Sequence, residues 1–286
     1  MCEPYHTSSH RLYEHNVSRT EYNGIMETTS LTQLINLSGK TAVVTGGAMG
    51  IGAAIVRRLH EAGANIVIGD LAQDKMDALA GELHALRAGS AATWLCDVSK
   101  TEDIDALMKV AGDTLGGLDI LVNNAGIYPM VPLSTMTEEQ FARVIDVNLK
   151  GVFLGTKRAA EIMKEQGRGG SIVTVCSIDS LHPSAVGLAA YDASKHGVWG
   201  FLKNVALELA EDNIRVNGIA PGGVATPGTH AGEMNEEMIQ QFTAMIPMKR
   251  FGDPDEMGRV ALFLASDLSS YLTGSLIVAD GGRLLR

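Results

Sequence analysis

The chain has 286 residues, of which 45% are hydrophobic and 20% charged, with a formal net charge of −10. That length suits one large domain or two small ones, and the acidic balance argues against the clustered Lys and Arg on which non-specific nucleic-acid binding depends. No apolar run approaches the length that spans a bilayer, and the N-terminus lacks the hydrophobic core of a secretory signal, so a cytoplasmic protein with neither a membrane nor a nucleic-acid partner is expected.

Residues 1–36 mix Ser, Thr, His, Asn and Glu without periodicity, the composition of a disordered N-terminal extension. His6, His10 and His15 are a conceivable metal cluster, but a polar, uncapped leader reads better as a tail, and no metal site is expected. Met26 is a second candidate initiation site. From Leu37 the pattern changes, and apolar runs at 41–45, 65–69, 91–96, 118–122, 171–175, 215–219 and 275–278 predict seven strands. Helical stretches lie between them: Met76, Leu79, Ala80 and Leu83, then Ile104, Leu107, Met108, Ala111 and Leu115, each have the spacing of one buried face. Ser99 with Glu102, Thr137 with Gln140, and Asp253-Pro254-Asp255-Glu256 carry helix-start signatures. The three cysteines, Cys2, Cys96 and Cys176, are odd in number and scattered; they read as small core residues, not as a disulfide framework. Strands that are apolar nearly throughout, separated by helices, predict one doubly wound α/β domain over residues 37–286, its parallel sheet covered on both faces.

"VVTGGAMGIG", residues 43–52, follows the first predicted strand and opens a helix whose apolar face includes Ile51, Ile55, Val56 and Leu59. Gly46 permits a tight turn, while Gly50 and Gly52 leave room for a pyrophosphate at the positive end of the helix. Many turns use glycine, but the strand before and the helix after favour a dinucleotide. The next strand ends at Asp70, where a carboxylate can accept hydrogen bonds from the adenosine ribose and repel a 2′-phosphate. With Met49 in the turn and no Arg there or just after Asp70, the expected cofactor is NAD rather than NADP.

Taken together with "CDVS" at 96–99, "NNAG" at 123–126, "VNL" at 147–149, "SI" at 177–178, "YDASK" at 191–195 and "PGGVATP" at 221–227, this turn makes the chain resemble the short-chain dehydrogenases/reductases over residues 37–286. The resemblance implies a single-domain, Rossmann-type sheet of seven strands and a cofactor site comprising Gly46, Met49, Gly50, Ile51, Gly52, Asp70, Asp97, Val98, Asn124, Tyr191, Lys195, Val224 and Thr226. Asp97 would meet the adenine, Asn124 the adenosine ribose, and Val224 with Thr226 the nicotinamide carboxamide. It also implies a catalytic tetrad of Asn148, Ser177, Tyr191 and Lys195, and a homotetramer built through the last strand and two long helices. Two departures stand out. The leader is long, and Cys176 occupies the place of a first serine, with Ser177 fourteen residues before Tyr191 and Ser180 a rival at eleven. Ser177 is preferred because it ends the apolar strand, where a hydroxyl emerges at the carboxyl edge of the sheet.

Tyr191 and Lys195 lie one helical turn apart, on one face. A YxxxK pair alone is ordinary on an exposed helix; beside the glycine turn, Asn148 and Ser177 it reads as an acid/base. A free phenol has a pKa of about 10, and a neighbouring ammonium is expected to lower it. Ser177 would donate to the reacting oxygen, Lys195 would align the nicotinamide ribose, and Asn148 would position a water leading from Lys195 to solvent. Candidate substrate residues are Tyr128 and Met130 and the stretch from Ile178 to His182, although a satisfied loop histidine is the better-founded reading of His182. Met234, Met238, Met245 and Met248 fit a mobile apolar lid, and the first three fit a core-facing helix stripe at least as well. No Lys or Arg stands out near these loops, which suggests a neutral, largely apolar secondary alcohol or ketone, alicyclic skeletons included. The alternatives are an NADPH-dependent 3-oxoacyl thioester reductase, against which Asp70 argues, and a non-catalytic NAD-binding regulator, which has no need of the tetrad.

Overall fold

The computed structural model describes residues 28–229 and 234–286; Cys2, the three leader histidines and Met26 lie outside them. Residues Leu31–Arg286 form one compact unit. Its strands are β1 (Thr41–Thr45), β2 (Asn65–Asp70), β3 (Ala91–Leu95), β4 (Ile120–Asn123), β5 (Gly170–Val175), β6 (Ile214–Pro221) and β7 (Leu276–Ala279). All are parallel, in the order β3-β2-β1-β4-β5-β6-β7. The seven predicted strands are present; β1 has its predicted bounds, and the ends of the others move by at most two residues.

Alternation along the strands divides the core in two. Ala42 and Val44 of β1, Ile66 and Ile68 of β2, and Val173 and Val175 of β5 point to one face. Val43, Val67 and Ile172 point to the other. The first face is covered by α2 (Gly50–Glu61), α3 (Gln73–Leu86) and α9 (Pro254–Ala265), which supply Ile55, Leu59, Met76, Leu83 and Ala261. The second is covered by α4 (Thr101–Leu115), α6 (Gly151–Gln166) and α7 (Ala189–Leu209), which supply Leu107, Met163, Val198 and Leu202. A strand with apolar residues on both sides is stable only when helices exclude water from both, which is why each run reads as continuous. Cys96 and Cys176 are buried and unpaired, and burial pushes their thiols up to about 12 and about 11 respectively.

Two predicted helix starts carry reciprocal capping boxes: Thr137 with Gln140 ahead of α5 (Glu138–Ile145), and Asp253 with Glu256 ahead of α9. Ser99 does not cap α4. Its hydroxyl donates to Asp97 Oδ1 at 2.7 Å, and the residue before the helix is Lys100, which makes no side-chain cap; a carboxylate two residues away outcompetes the helix for the hydroxyl. The core-stripe reading of the methionines also fails, because α8 (Glu236–Ala244) buries no residue, and Met238, Met245 and Met248 are all exposed.

At the opposite end of the sheet from the glycine turn, His60 is buried against Ser90, with Nε2 2.7 Å from the hydroxyl. Ser90 gives its only proton to the Arg87 carbonyl at 2.5 Å, so Nε2–H is the donor. Burial, then the charges of Arg87 and His84, hold His60 below its ordinary value. The unfolded chain therefore binds this proton more readily than the folded one, and stability is present above about pH 6.5 and lost as pH falls from there toward the depressed folded value. Urea midpoints measured between pH 7 and 5 should fall less steeply for His60→Gln than for the parent.

Candidate active site

The strand order reverses between β1 and β4, and the loops leaving their carboxyl ends diverge to opposite faces and open a crevice. The glycine turn closes tightly there. Gly46 has φ +61°, and a Cβ on it would lie 2.7 Å from Ala125 Cα; one on Gly52 would lie 2.0 Å from the Gly46 carbonyl oxygen. Asn124 locks the turn, donating from Nδ2 to the carbonyls of Thr45 at 3.0 Å and Gly46 at 2.7 Å. Gly50, with φ +54°, faces Thr226. Helix α2 then begins at Met49 with no side-chain cap and no acidic residue in its first turn, so its leading N–H groups have no partner from a cap. Donors of this kind, beside an open cleft of about 430 Å³ lined by Met49, Gly50, Arg57 and Pro227, fit the diphosphate of a dinucleotide.

Asp70, at the end of β2, accepts from the N–H of Ala48 at 3.0 Å, Leu71 at 2.7 Å and Ala72 at 3.1 Å. A carboxylate offers about four acceptor sites, which leaves one for a ribose hydroxyl. Lys75 Nζ lies 3.7 Å from Met49 Sδ, a cation near the turn that the sequence reading passed over. Asp97 accepts from Ser99 and lies 3.5 Å from Arg143 of α5. Burial works to raise its carboxyl, but the Ser99 and Arg143 contacts carry it below the ordinary value. Val98 packs against Gly151, and buried Val224 pairs with Gly252 in an isolated parallel bridge. Ile51 is half-buried in the first turn of α2.

On the other side of the crevice, α5 runs into α6 through one π-helical turn, Asp146–Lys150, and Asn148 stands in it, fully buried. Its Oδ1 accepts from Ile127 N at 2.9 Å, while Nδ2 donates to Ile127 O at 2.8 Å and Ser194 Oγ at 3.1 Å. The amide is thus spent on protein partners and clamps the loop after β4 onto α7. Ser177 follows β5; its hydroxyl donates to Asp179 Oδ2 at 2.9 Å, and it stands near enough to the Tyr191 phenol to favour the phenolate. Ser180, the rival, is buried with its hydroxyl unpartnered. Lys195 is buried; its Nζ donates to Val175 O at 2.7 Å and lies 5.7 Å from the centre of the Tyr191 ring.

The protein's own groups do not on balance lower the Tyr191 phenol. Burial raises it well above its ordinary value, outweighing the effect of Ser177, and the Asp179 charge adds to the rise. Burial also lowers Lys195. Loss of water around the phenolate exceeds what a cation nearly 6 Å from the ring can return.

Among the substrate candidates, Tyr128 meets Tyr191 edge-on, ring centres 5.9 Å apart, and bonds Thr226. Ile178 opens the short 3-10 turn after Ser177. Met130 is exposed, and His182 is occupied locally, Nδ1 lying 2.7 Å from Pro183 O. Asp179 was not singled out, although it is the only acid in the loop after the serine; the signal was its place two residues beyond Ser177. Among the described residues no group of His, Cys, Asp and Glu could hold a metal, and no helix is long and apolar enough to cross a membrane.

The family profile described as Enoyl-(Acyl carrier protein) reductase matches residues 46–283. The chain is 40% identical to a 3-oxoacyl-[acyl-carrier-protein] reductase of Thermotoga maritima, over 88% of this chain and 100% of the relative. It is also 40% identical to 3beta-hydroxysteroid dehydrogenase 1 of Eggerthella lenta, over 87% and 95%. A solved short-chain type dehydrogenase/reductase from Mycobacterium marinum superposes with a TM-score of 0.85 at 35% identity, covering 90% of this chain and 100% of that one. Sequence, fold and the layout of the crevice agree, and the chain belongs to the short-chain dehydrogenase/reductase family, as an oxidoreductase.

Proposed function

We propose that the protein moves a hydride between NAD(H) and a secondary alcohol or ketone, with Tyr191 as the proton donor and acceptor. The observation that carries this reading is the convergence of Ser177, Tyr191 and Lys195, with Lys195 Nζ over the Tyr191 ring at 5.7 Å, at the carboxyl edge of the sheet beside the glycine turn. The cofactor would supply or take the hydride. Gly46, Met49, Gly50, Ile51 and Gly52 would hold its diphosphate, Asp70 a ribose, Asp97, Val98 and Asn124 the adenosine end, and Val224 with Thr226 the carboxamide. In reduction, Tyr191 gives its phenolic proton to the carbonyl oxygen while Ser177, turning its single hydroxyl proton away from Asp179 Oδ2, donates a hydrogen bond to it. Burial raises the phenol above its ordinary value, so it enters this step protonated. In oxidation, the alcohol proton passes to the phenolate, a state that needs added positive charge nearby, as oxidised nicotinamide provides. Asn148 positions, through Ile127 and Ser194, the elements that carry the chemistry.

Asp70 supports NAD over NADP, since a carboxylate repels a 2′-phosphate; Lys75 is the group that could soften this preference. Exposed Phe141, Phe153 and Leu207 on α5, α6 and α7, with Val278 on the last strand, support a homotetramer, and the cytoplasm is the proposed compartment. Exposed Met130, Leu181 and Met245 support an apolar substrate skeleton. The thioester-reductase alternative gains nothing from the substrate side, where Asp179 is the charged group at Ser177.

Tyr191→Phe should keep NADH binding, followed by fluorescence titration, and lose at least about a hundredfold in turnover. With the parent enzyme NADH should outperform NADPH in kcat/KM, and Asp70→Asn should narrow that ratio by roughly tenfold or more.

A further inference from the structure

Asp179 sits beside the proton-transfer pair in a way that the reading above leaves unused. Its Oδ2 accepts the Ser177 hydroxyl proton at 2.9 Å, and its backbone N–H donates to Ser177 Oγ at 3.1 Å. Oδ1 receives no hydrogen bond among the described residues, and the side chain is half-buried. No neighbouring cationic group forms an ion pair or hydrogen bond with it among the described residues. Lys195 is bound to Val175 O at 2.7 Å, His196 Nδ1 lies 2.9 Å from Asp192 O, and His182 Nδ1 lies 2.7 Å from Pro183 O. The other acid facing it, Asp192 of α7, is satisfied by Ser184 through N at 3.1 Å and Oγ at 2.6 Å. Burial raises the Asp179 carboxyl; Ser177 opposes this, Asp192 adds to it, and the distant charges of His182 and His196 oppose it. A carboxyl partly withdrawn from water without an ionic partner is costly. A hydrogen-bond donor brought by a ligand relieves that cost.

Position decides which donor. If the reacting oxygen lies against Ser177 and Tyr191, Asp179 Oδ2 stands one hydrogen-bond length from the same Ser177 Oγ. Oxygen or nitrogen atoms on adjacent carbons lie about 2.8 Å apart, close to one hydrogen bond. A hydroxyl or ammonium on the carbon next to the reacting one therefore spans from the Ser177 hydroxyl to Asp179, whereas a carboxylate or thioester there meets like charge or no donor.

We propose that Asp179 is a specificity-determining residue that selects substrates with a hydrogen-bond donor on the carbon adjacent to the reacting carbinol: vicinal diols, amino alcohols and the matching ketones, on a mainly apolar skeleton. This deepens the dehydrogenase reading and rests on it. Hydroxyl and ammonium are distinguished by charge, since the Asn amide oxygen accepts from either but lacks the negative charge that holds an ammonium.

The test uses the full chain with NAD and three alcohols: cyclohexanol, cyclohexane-1,2-diol and 2-aminocyclohexanol. The parent should favour at least one donor-bearing alcohol over cyclohexanol by at least about tenfold in kcat/KM. Asp179→Ala should bring that ratio close to one. Asp179→Asn, which keeps the shape, should retain part of a diol preference and lose an amino-alcohol preference. A parent without preference, or a ratio unchanged in both variants, overturns the role of Asp179 and leaves the dehydrogenase reading standing. Absence of turnover of all three by the parent while NADH still binds overturns this choice of substrate class, and inactivity extending to a broad panel of alcohols and ketones removes the dehydrogenase reading as well.

Discussion

The ammonium of Lys195 donates to the carbonyl of Val175, the last residue of β5. A cation taken out of water must find acceptors, and this one finds its partner on the strand that delivers Ser177 two residues later. The bond therefore pins α7 to β5 at the point where chemistry requires a fixed distance. Tyr191 sits one turn earlier on α7, so its phenol is carried to Ser177 by the same attachment. Asn148 braces α7 from the other side through Ser194. Three elements from distant parts of the chain are thereby held as one rigid frame.

Within that frame, desolvation and charge compete. A lysine near a phenol is expected to encourage its ionisation, yet the enclosure that brings them together removes water from both. Here the enclosure wins: the phenol is held protonated and the amine is drawn toward neutrality. Asp179 adds negative charge in the same direction. The frame on its own is set up to give a proton, and taking one depends on charge that arrives with a bound partner.

The architecture was legible because its determinants are local. Val43 and Val67 alternate with neighbours that face the other way, and Asp253 with Glu256 marks a helix start within four residues. The glycine turn was legible for the same reason: its steric demands arise between Gly46 and Gly52. What escaped were pairings made across the fold. Ser99 turned from its expected helix to Asp97; Lys75 reached Met49 across 26 residues; and Asn148 spent its amide on Ile127 and Ser194, 21 and 46 residues away. Asp179 was missed for a different reason. Its partner is adjacent in the chain, but a carboxyl gains meaning only from the burial and the commitments of the groups around it, neither of which is written in the local sequence.

The single π-helical turn between α5 and α6 has a consequence for how this part of the chain tolerates change. Each residue of a helix advances its direction by about 100°, and a wider turn accommodates one extra residue without ending the helix. Val152, Ala159 and Met163 of α6 all face the sheet, and a wide turn lets one surplus residue stand before them without rotating them off it. Excising one residue from 146–150 would close the turn to plain α-helix and leave α6 near its present orientation, while withdrawing the local geometry that aims Asn148 at Ile127 and Ser194. The same excision within the regular turns of α6 would instead rotate every residue beyond it by about 100°.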